Sequence, residues 1–573
     1  MSPAMSAAGS EVCGPEAVAL RPPDVVMRLA RMGAAHQTRL SFLRAMLRHA
    51  VRERWQFTRP RFDIDARGVG VAVYRVGVGE RTYSLVAFGH DLAPEQRTDR
   101  VIAEAWDATF ALYDGVPDDA EIERLRRNVP VQEAGRYLPS DLILARANRS
   151  VRLFDRVVGA LSDGRQPDAA EMEATGYLMR TTAVYGNGKF GIADRAVIAG
   201  RPEFAGPFRA EMLTVYLIRA FTADLVEHMA VLRGGARAAT LAPPLRRRLG
   251  IGNATGLGMA PFLVRHPALI DRWMTARETA LARVRALPVA TRGQQEHFIR
   301  ALAGARRQVA GWTTDDPVQA PRIAALAADL ERLRAHVGTG AFDGPMPWDR
   351  LYRWAEHALS VEGQEMLVSL LIEPHGALVD DLAETMAIDE AEVFRIDGAM
   401  RVRDLAAILD STYAWARAAD FSQPAANARF WYVSEEKLEP RLGQRADEPG
   451  AELEQPLAVA RDVESLRAVL ARAPPDETLA AFLLRAPEHR HTVRRVQISA
   501  HHPYGEVRDN LIAADLRAID LLRCKLAFFG VTRFDPQSDK WLRITLFQGA
   551  PYPHELHDGD WDGWIWGVAD AQP

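Results

Sequence analysis

The sequence predicts an α-rich α+β fold: a small N-terminal antiparallel sheet, a large helical middle and a C-terminal α/β portion. Three observations predict it. Apolar residues recur at helical spacing through most of 118–420, the pattern alternates with period two over 62–89, and it becomes mixed after 421. The expected parts are a disordered 1–22, basic helices plus the small sheet over 23–117, a helical domain over 118–420, and the C-terminal portion over 421–573.

Taken in order, 1–22 is small, polar and proline-bearing. Val26, Leu29, Leu40, Leu43, Leu47 and Val51 then follow a helical period. Phe62 and Ile64, then Val69, Val71 and Val73, then Tyr83, Leu85 and Ala87 alternate as strands of a meander, with turns at Gly68 and at 77–79. A helix is expected over 98–115, with Thr98 as N-cap and Gly115 as stop. Further helices are expected over 141–161 behind Ser140, and over 208–232, 267–287, 322–336, 348–372 and 376–386. The polar stretch 443–456 reads as an exposed excursion, and strands at 494–500 and 540–549 flank a helix over 506–529. No fixed-period repeat is present, which argues against a solenoid.

The composition narrows the function classes. With 48% hydrophobic and 25% charged residues, the 573-residue chain has ample material for sizeable cores. Its net charge of −4 argues against a surface that wraps nucleic acid as a whole. Two cysteines, Cys13 and Cys524, make neither a disulfide framework nor a zinc site, so a reducing compartment fits. The first residues carry no secretory pattern, and no apolar run approaches the roughly twenty residues of a membrane span. The expectation is a cytoplasmic protein that does not enter a membrane; the sequence names no cofactor and leaves the oligomeric state open.

Two glycine-rich stretches stand out. The first, "TAVYGNGKFGIADRAV" (182–197), offers Tyr185, Asn187, Gly188, Lys189 and Arg195. Backbone N–H groups freed by glycine, with a lysine and an arginine beside them, suit a carboxylate or phosphate. The plain alternative is a helix–helix connection with left-handed stops. The second, "GIGNATGLGMAPFLVRHP" (250–267), adds Asn253 and Gly256 before a helix whose N-terminus favours an anion. Neither stretch has the spacing of a phosphate loop or a dinucleotide fold.

The densest titratable run is "ISAHHPYGEVRDN", with His501, His502, Glu506, Arg508 and Asp509 after an expected strand. Histidine exchanges protons near neutral pH, and a carboxylate such as Glu506 or Asp509 can fix its tautomer. The alternative is a solvated turn set by Pro503 and Gly505. Arg441, after the aromatics of 430–432, can clamp an anion or sit on an amphipathic edge strand. Cys524, among leucines and phenylalanine, reads as a small core residue rather than a nucleophile. No metal centre is expected: Asp224 with His228, and His357, Glu362, Glu365 and His375, lack zinc or di-iron spacing.

Residues 28–61 hold nine arginines and one carboxylate, Glu53. Arg28, Arg44, Arg48 and Arg52 could grip a phosphate backbone or pair with acids such as Asp99, Glu104 and Asp107. The leading expectation is an enzyme that binds an anionic small molecule through the two glycine stretches and moves protons through His501 or His502. A non-enzymatic ligand- or partner-binding protein is the second, and an arginine-mediated nucleic-acid binder the third. The enzyme reading requires Lys189, Asn253 and His501 to converge on one ligand.

Overall fold

The computed structural model describes residues 18–96, 105–130, 137–184, 198, 200–255, 266–387, 395–418, 431–434, 440–442, 454–456, 459–508, 518–536, 542–556 and 562–566. Its strands are β1 (Gln56–Ile64), β2 (Gly70–Val78), β3 (Arg81–Gly89), β4 (Ala108–Asp114), β5 (Asp141–Arg149), β6 (Tyr177–Thr181), β7 (Gly250–Thr255), β8 (Trp431–Ser434), β9 (Pro440–Leu442), β10 (Glu454–Pro456), β11 (Arg533–Pro536) and β12 (Leu542–Leu546). Nine of them form one sheet in the order β1-β2-β3-β4-β5-β6-β7-β12-β11, and β10-β8-β9 form a small one. The class is α+β as expected, but the sheet is neither small nor confined to the N-terminal part, since β11 and β12 extend it from the far end of the chain.

The alternation in β2 and β3 sorts two faces. Ala72, Tyr74, Val76, Leu85 and Ala87 enter the main core. Val71, Val73, Val86 and Phe88 instead meet Ile122, Leu125 and Val129 on and just after the Asp119–Asn128 helix. Because this helix covers the second face, both sets are buried, as period two on a covered sheet requires.

Several expected helices are strands. The 98–115 helix gives way to β4, and the front of the 141–161 helix to β5; only Phe154–Ser162 is helical there. Both strands are interior to the sheet, and their side chains are buried or half-buried whichever face they lie on, so neither shows the in–out pattern of a half-exposed strand. The reverse error falls at 494–500, which belongs to the Arg490–Ser499 helix. Val493 and Val496, three apart, bury into a second core there, and that contact overrides the local alternation of Val496 and Ile498.

That second core gathers residues from Val402 to Val496 and straddles residue 420, where composition suggested a boundary. The main core takes in both flanks, Val26 to Met386 and Tyr504 to Trp566. The end of the expected disordered stretch is fixed as well: Arg21 is buried and paired with Glu278 and Glu365 at 2.7 Å.

One pair in the nine-stranded sheet is parallel. β6 and β7 run side by side, Tyr177 opposite Gly250 and Arg180 opposite Gly252, while every other pairing is antiparallel. Parallel neighbours need a long crossover. The Arg209–Gly234 helix supplies it, packing on β3, β5, β6 and β7 before the chain turns through Pro243–Arg248 into β7.

The glycines that open β7 are packing residues. A Cβ on Gly250 would stand 2.4 Å from the Leu546 carbonyl oxygen, and one on Gly252 would stand 2.8 Å from the Tyr177 ring. The second glycine stretch is therefore a strand in its first half, its glycines admitting close neighbours rather than offering amides to an anion. Gly250→Ala is expected to cost about 1–3 kcal/mol, the usual range for overpacking a rigid site; denaturant titration should show it, and an unchanged midpoint would refute the packing role.

Candidate active site

β6 and β7 end on the same side, and those ends feed the two glycine-rich stretches. Tyr185, Asn187, Gly188, Lys189, Arg195 and Gly256 lie outside the described residues, but the chain that enters each stretch does not. At the end of β6 the hydroxyls of two threonines stitch the strand to β5: Thr181 Oγ1 donates to the Arg146 carbonyl at 3.1 Å, and the Arg146 N–H donates to Thr182 Oγ1 at 3.1 Å. Asn253 of β7 is 1% exposed, and its Nδ2 donates to the Thr181 carbonyl at 2.8 Å. Its Oδ1 is buried with no partner among the described residues. Such an acceptor costs free energy until a donor reaches it. Asn253 thus keeps one polar atom unused at the carboxyl end of the parallel pair, where ligands of open α/β sheets bind.

The residue that sequence reasoning missed is Lys525. It is fully buried, its ammonium nitrogen lies 3.4 Å from the Val184 carbonyl three residues past Thr181, and it sits 5.1 Å from the centre of the Phe529 ring. Burial pushes its amine down to about 7, which the neighbouring Cys524 only partly opposes. The same burial pushes the Cys524 thiol up to about 12, so that cysteine is an inert core residue as expected. Lys525 leads into a π-helical turn, Leu526–Gly530, a backbone irregularity found disproportionately at functional sites. Nearby, Arg146 lies 5.0 Å over the Trp106 ring and is pulled by burial down to about 10, so it stays a cation at neutral pH. A signal existed. The chain has four lysines (Lys189, Lys437, Lys525 and Lys540) among seventy-one basic residues, and one of the four interrupts an apolar run.

The histidine pair separates. His501 is exposed just past the end of the Arg490–Ser499 helix. His502 is half-buried, with Nδ1 3.2 Å from Asp271 Oδ2; the Tyr504 N–H donates to Asp271 Oδ1 at 2.8 Å. A carboxylate held by a backbone amide and facing Nδ1 orients an imidazole for proton transfer through Nε2. The orienting acid is therefore Asp271, near the start of the Pro267–Arg285 helix, and not Glu506. Glu506 is buried elsewhere: it accepts from the Tyr413 hydroxyl at 2.9 Å, and Arg495 stands 3.7 Å away. Burial raises its carboxyl, only partly countered by Arg495. Asp509 lies outside the described residues.

The segments that carry Asp271 and Lys525 touch through aromatic rings. Trp273, two residues beyond Asp271, packs on Phe528, three beyond Lys525, with ring centroids 5.3 Å apart. Phe42, Phe208 and Phe529 complete that aromatic cluster.

Other expected ligands are structural. Arg508 pairs with Asp24, and its backbone N–H donates to the Met27 carbonyl at 2.7 Å, tying this turn to the N-terminal segment. Arg441 falls on β9, on the edge-strand alternative, and its side chain lies outside what is described. The basic segment is largely spent on internal carboxylates. Arg44 forks onto Glu373 with both contacts at 2.7 Å, Arg39 onto Asp380, and Arg52 reaches Glu53 and Glu384. Apart from Glu53, these partners come from 373–384 rather than from Asp107, whose carboxylate accepts from the Arg149 N–H; Asp99 and Glu104 lie outside the described residues.

The acid–histidine pairs weighed as metal ligands are also occupied. Asp224 holds Tyr74, Arg59 and Arg246, and His228 Nε2 donates to the Ile64 carbonyl. Burial would raise the Glu362 carboxyl, but Arg523 and His36 pull it to about 2. Among the described residues no cluster of three or more metal-binding side chains occurs, and no helix is long and apolar enough to cross a membrane.

Among the described residues the fold and this corner define an α+β protein whose mixed sheet carries one βαβ crossover, with a buried lysine at its carboxyl end. No family model, curated protein or solved structure matches the chain.

Proposed function

We propose that the chain is an enzyme acting on an anionic small molecule, a carboxylate or phosphate, by acid–base chemistry at the carboxyl ends of β6 and β7. Lys525 moves the proton, and His502 held by Asp271 is the second proton-handling group. The observation that carries the reading is the placement of Lys525 against Val184, where β6 gives way to the stretch bearing Lys189 and Arg195. A buried amine lowered to about 7 can act as a base and, once protonated, as an acid and a partner for an anion. The unused Oδ1 of Asn253 supplies an acceptor for a substrate hydroxyl or amine.

The test is a screen of small carboxylates and phosphates by thermal shift at pH 8, followed by calorimetry in two buffers of different ionisation enthalpy. A ligand is expected to raise the melting temperature of the wild type, less so that of Lys189→Ala, and to bind with uptake of part of a proton as it draws Lys525 back to the charged form. Lys525→Met should abolish that uptake. Proton uptake unchanged in Lys525→Met would remove the lysine from the site. A ligand bound this way but recovered unchanged after long incubation would favour the binding-protein reading over the enzyme.

A further inference from the structure

At the opposite, amino-terminal ends of the same two strands opens a cavity of about 530 Å³. Glu173 and Ala174 line it just before β6, Arg248 just before β7, Arg533 from β11, Gln548 just past β12, and Arg307 and Trp312 from the last turn of the Arg292–Ala310 helix and just beyond. A Cβ on Gly176 would stand 3.3 Å from Gln548 Nε2 and 3.5 Å from Arg533 Nη1, which places both side chains against the start of β6. The wall is tied together by side chains. Gln308 Nε2 donates to the Thr532 carbonyl, and Thr532 Oγ1 donates to Gln548 Oε1 at 3.2 Å.

Charge and aromaticity both single this cavity out. Three arginines face one carboxylate side chain, in a chain whose net charge is negative. Many of the chain's arginines are matched with carboxylates, whereas among the described residues Arg307 and Arg533 have none within ion-pair range, and the hydrogen bond Arg533 makes there goes to the Glu173 carbonyl. Trp312 and Trp566 also line the cavity while being 6% and 4% exposed, and the Trp566 indole N–H is buried with no acceptor among the described residues. Gly304 admits Trp566 to the helix, since a Cβ there would stand 2.3 Å from its carbonyl oxygen. Indole faces take a flat ring, and guanidinium groups fork onto carboxylate or phosphate. The volume falls in the range of small-ligand sites, roughly 300–1,000 Å³.

We infer that this cavity is a binding site for a small aromatic anion, a planar ring carrying a carboxylate or phosphate, held between Trp312, Trp566 and the arginines. It is separate from the Lys525 corner and stands without it.

Calorimetry on the full chain at low salt tests it with two probes, 1-naphthoate and adenosine monophosphate, against their neutral counterparts 1-naphthalenemethanol and adenosine. At least one anionic probe is expected to bind, at least tenfold tighter than its neutral counterpart. Arg307→Gln and Arg533→Gln should each weaken that anion by about tenfold, the worth of one charge-assisted hydrogen bond, and leave the neutral compound unchanged. Lys525→Met should leave it unchanged. Arg307 is exposed, so its variant serves if Arg533→Gln fails to fold. Absence of binding by both anionic probes at about 1 mM, a thousandfold weaker than the micromolar range, would overturn the assignment. So would an Arg307→Gln variant of undiminished affinity, or inorganic phosphate binding as tightly as either probe.

Discussion

Glu365→Ala is expected to lower stability by about 3–5 kcal/mol at pH 7, the range for removing one partner from a buried ionic cluster. Glu365 is fully buried and takes three guanidinium groups: Arg21 at 2.7 Å, Arg31 at 2.5 Å, and Arg277. Burial by itself would raise its carboxyl, but Arg21, Arg277 and Arg31 override it and hold the group well below the usual carboxylate range. Without it, three cations share Glu278 and the Gln364 amide oxygen, which accepts from Arg31 at 3.1 Å. The pH dependence has a definite sign. A carboxyl whose folded pKa is depressed stabilises fully above its unfolded value, here 4.5, and that stability is lost as pH falls toward the folded value. The gap between wild type and variant should therefore narrow as the pH drops below about 4.5. Urea titration at pH 7 and at pH 3.5 checks both statements, and a loss under about 1 kcal/mol at pH 7 would show that the cluster relaxes at little cost.

Lys525→Met should do the opposite and stabilise the protein, most strongly below pH 7. The folded amine titrates near 7 and the unfolded one near 10.5. Between those values the unfolded chain binds the extra proton, so stability rises with pH; below 7 both states are protonated and the full cost of a buried ammonium stands. A lowering from 10.5 to about 7 corresponds to at most about 5 kcal/mol, which sets the upper size of the gain. Methionine keeps an unbranched stem without the charge. The gain should be largest at pH 6, shrink through pH 8 and 9, and vanish near 10.5. A variant less stable than wild type at every pH, with no narrowing, would mean that the ammonium is satisfied where it lies. A residue that destabilises its own fold is retained for some other use, which is why the same substitution tests the proposed chemistry.

The sequence by itself determined the local rules. Period two over 62–89 became β1 to β3, and the helical period became helices such as Pro267–Arg285. Tertiary structure decided everything that depends on which neighbours cover a segment. β4 and β5 are strands because partners bury both their faces, and 490–499 is a helix because a second core receives Val493 and Val496. Asp271 reaches His502 across 231 positions, and Lys525 reaches Val184 across 341. Periodicity and turn chemistry act over a few residues and are written in the chain, whereas an amine's proton affinity or a carboxylate's partner is set by solvent exclusion and by groups that meet only when distant segments close together.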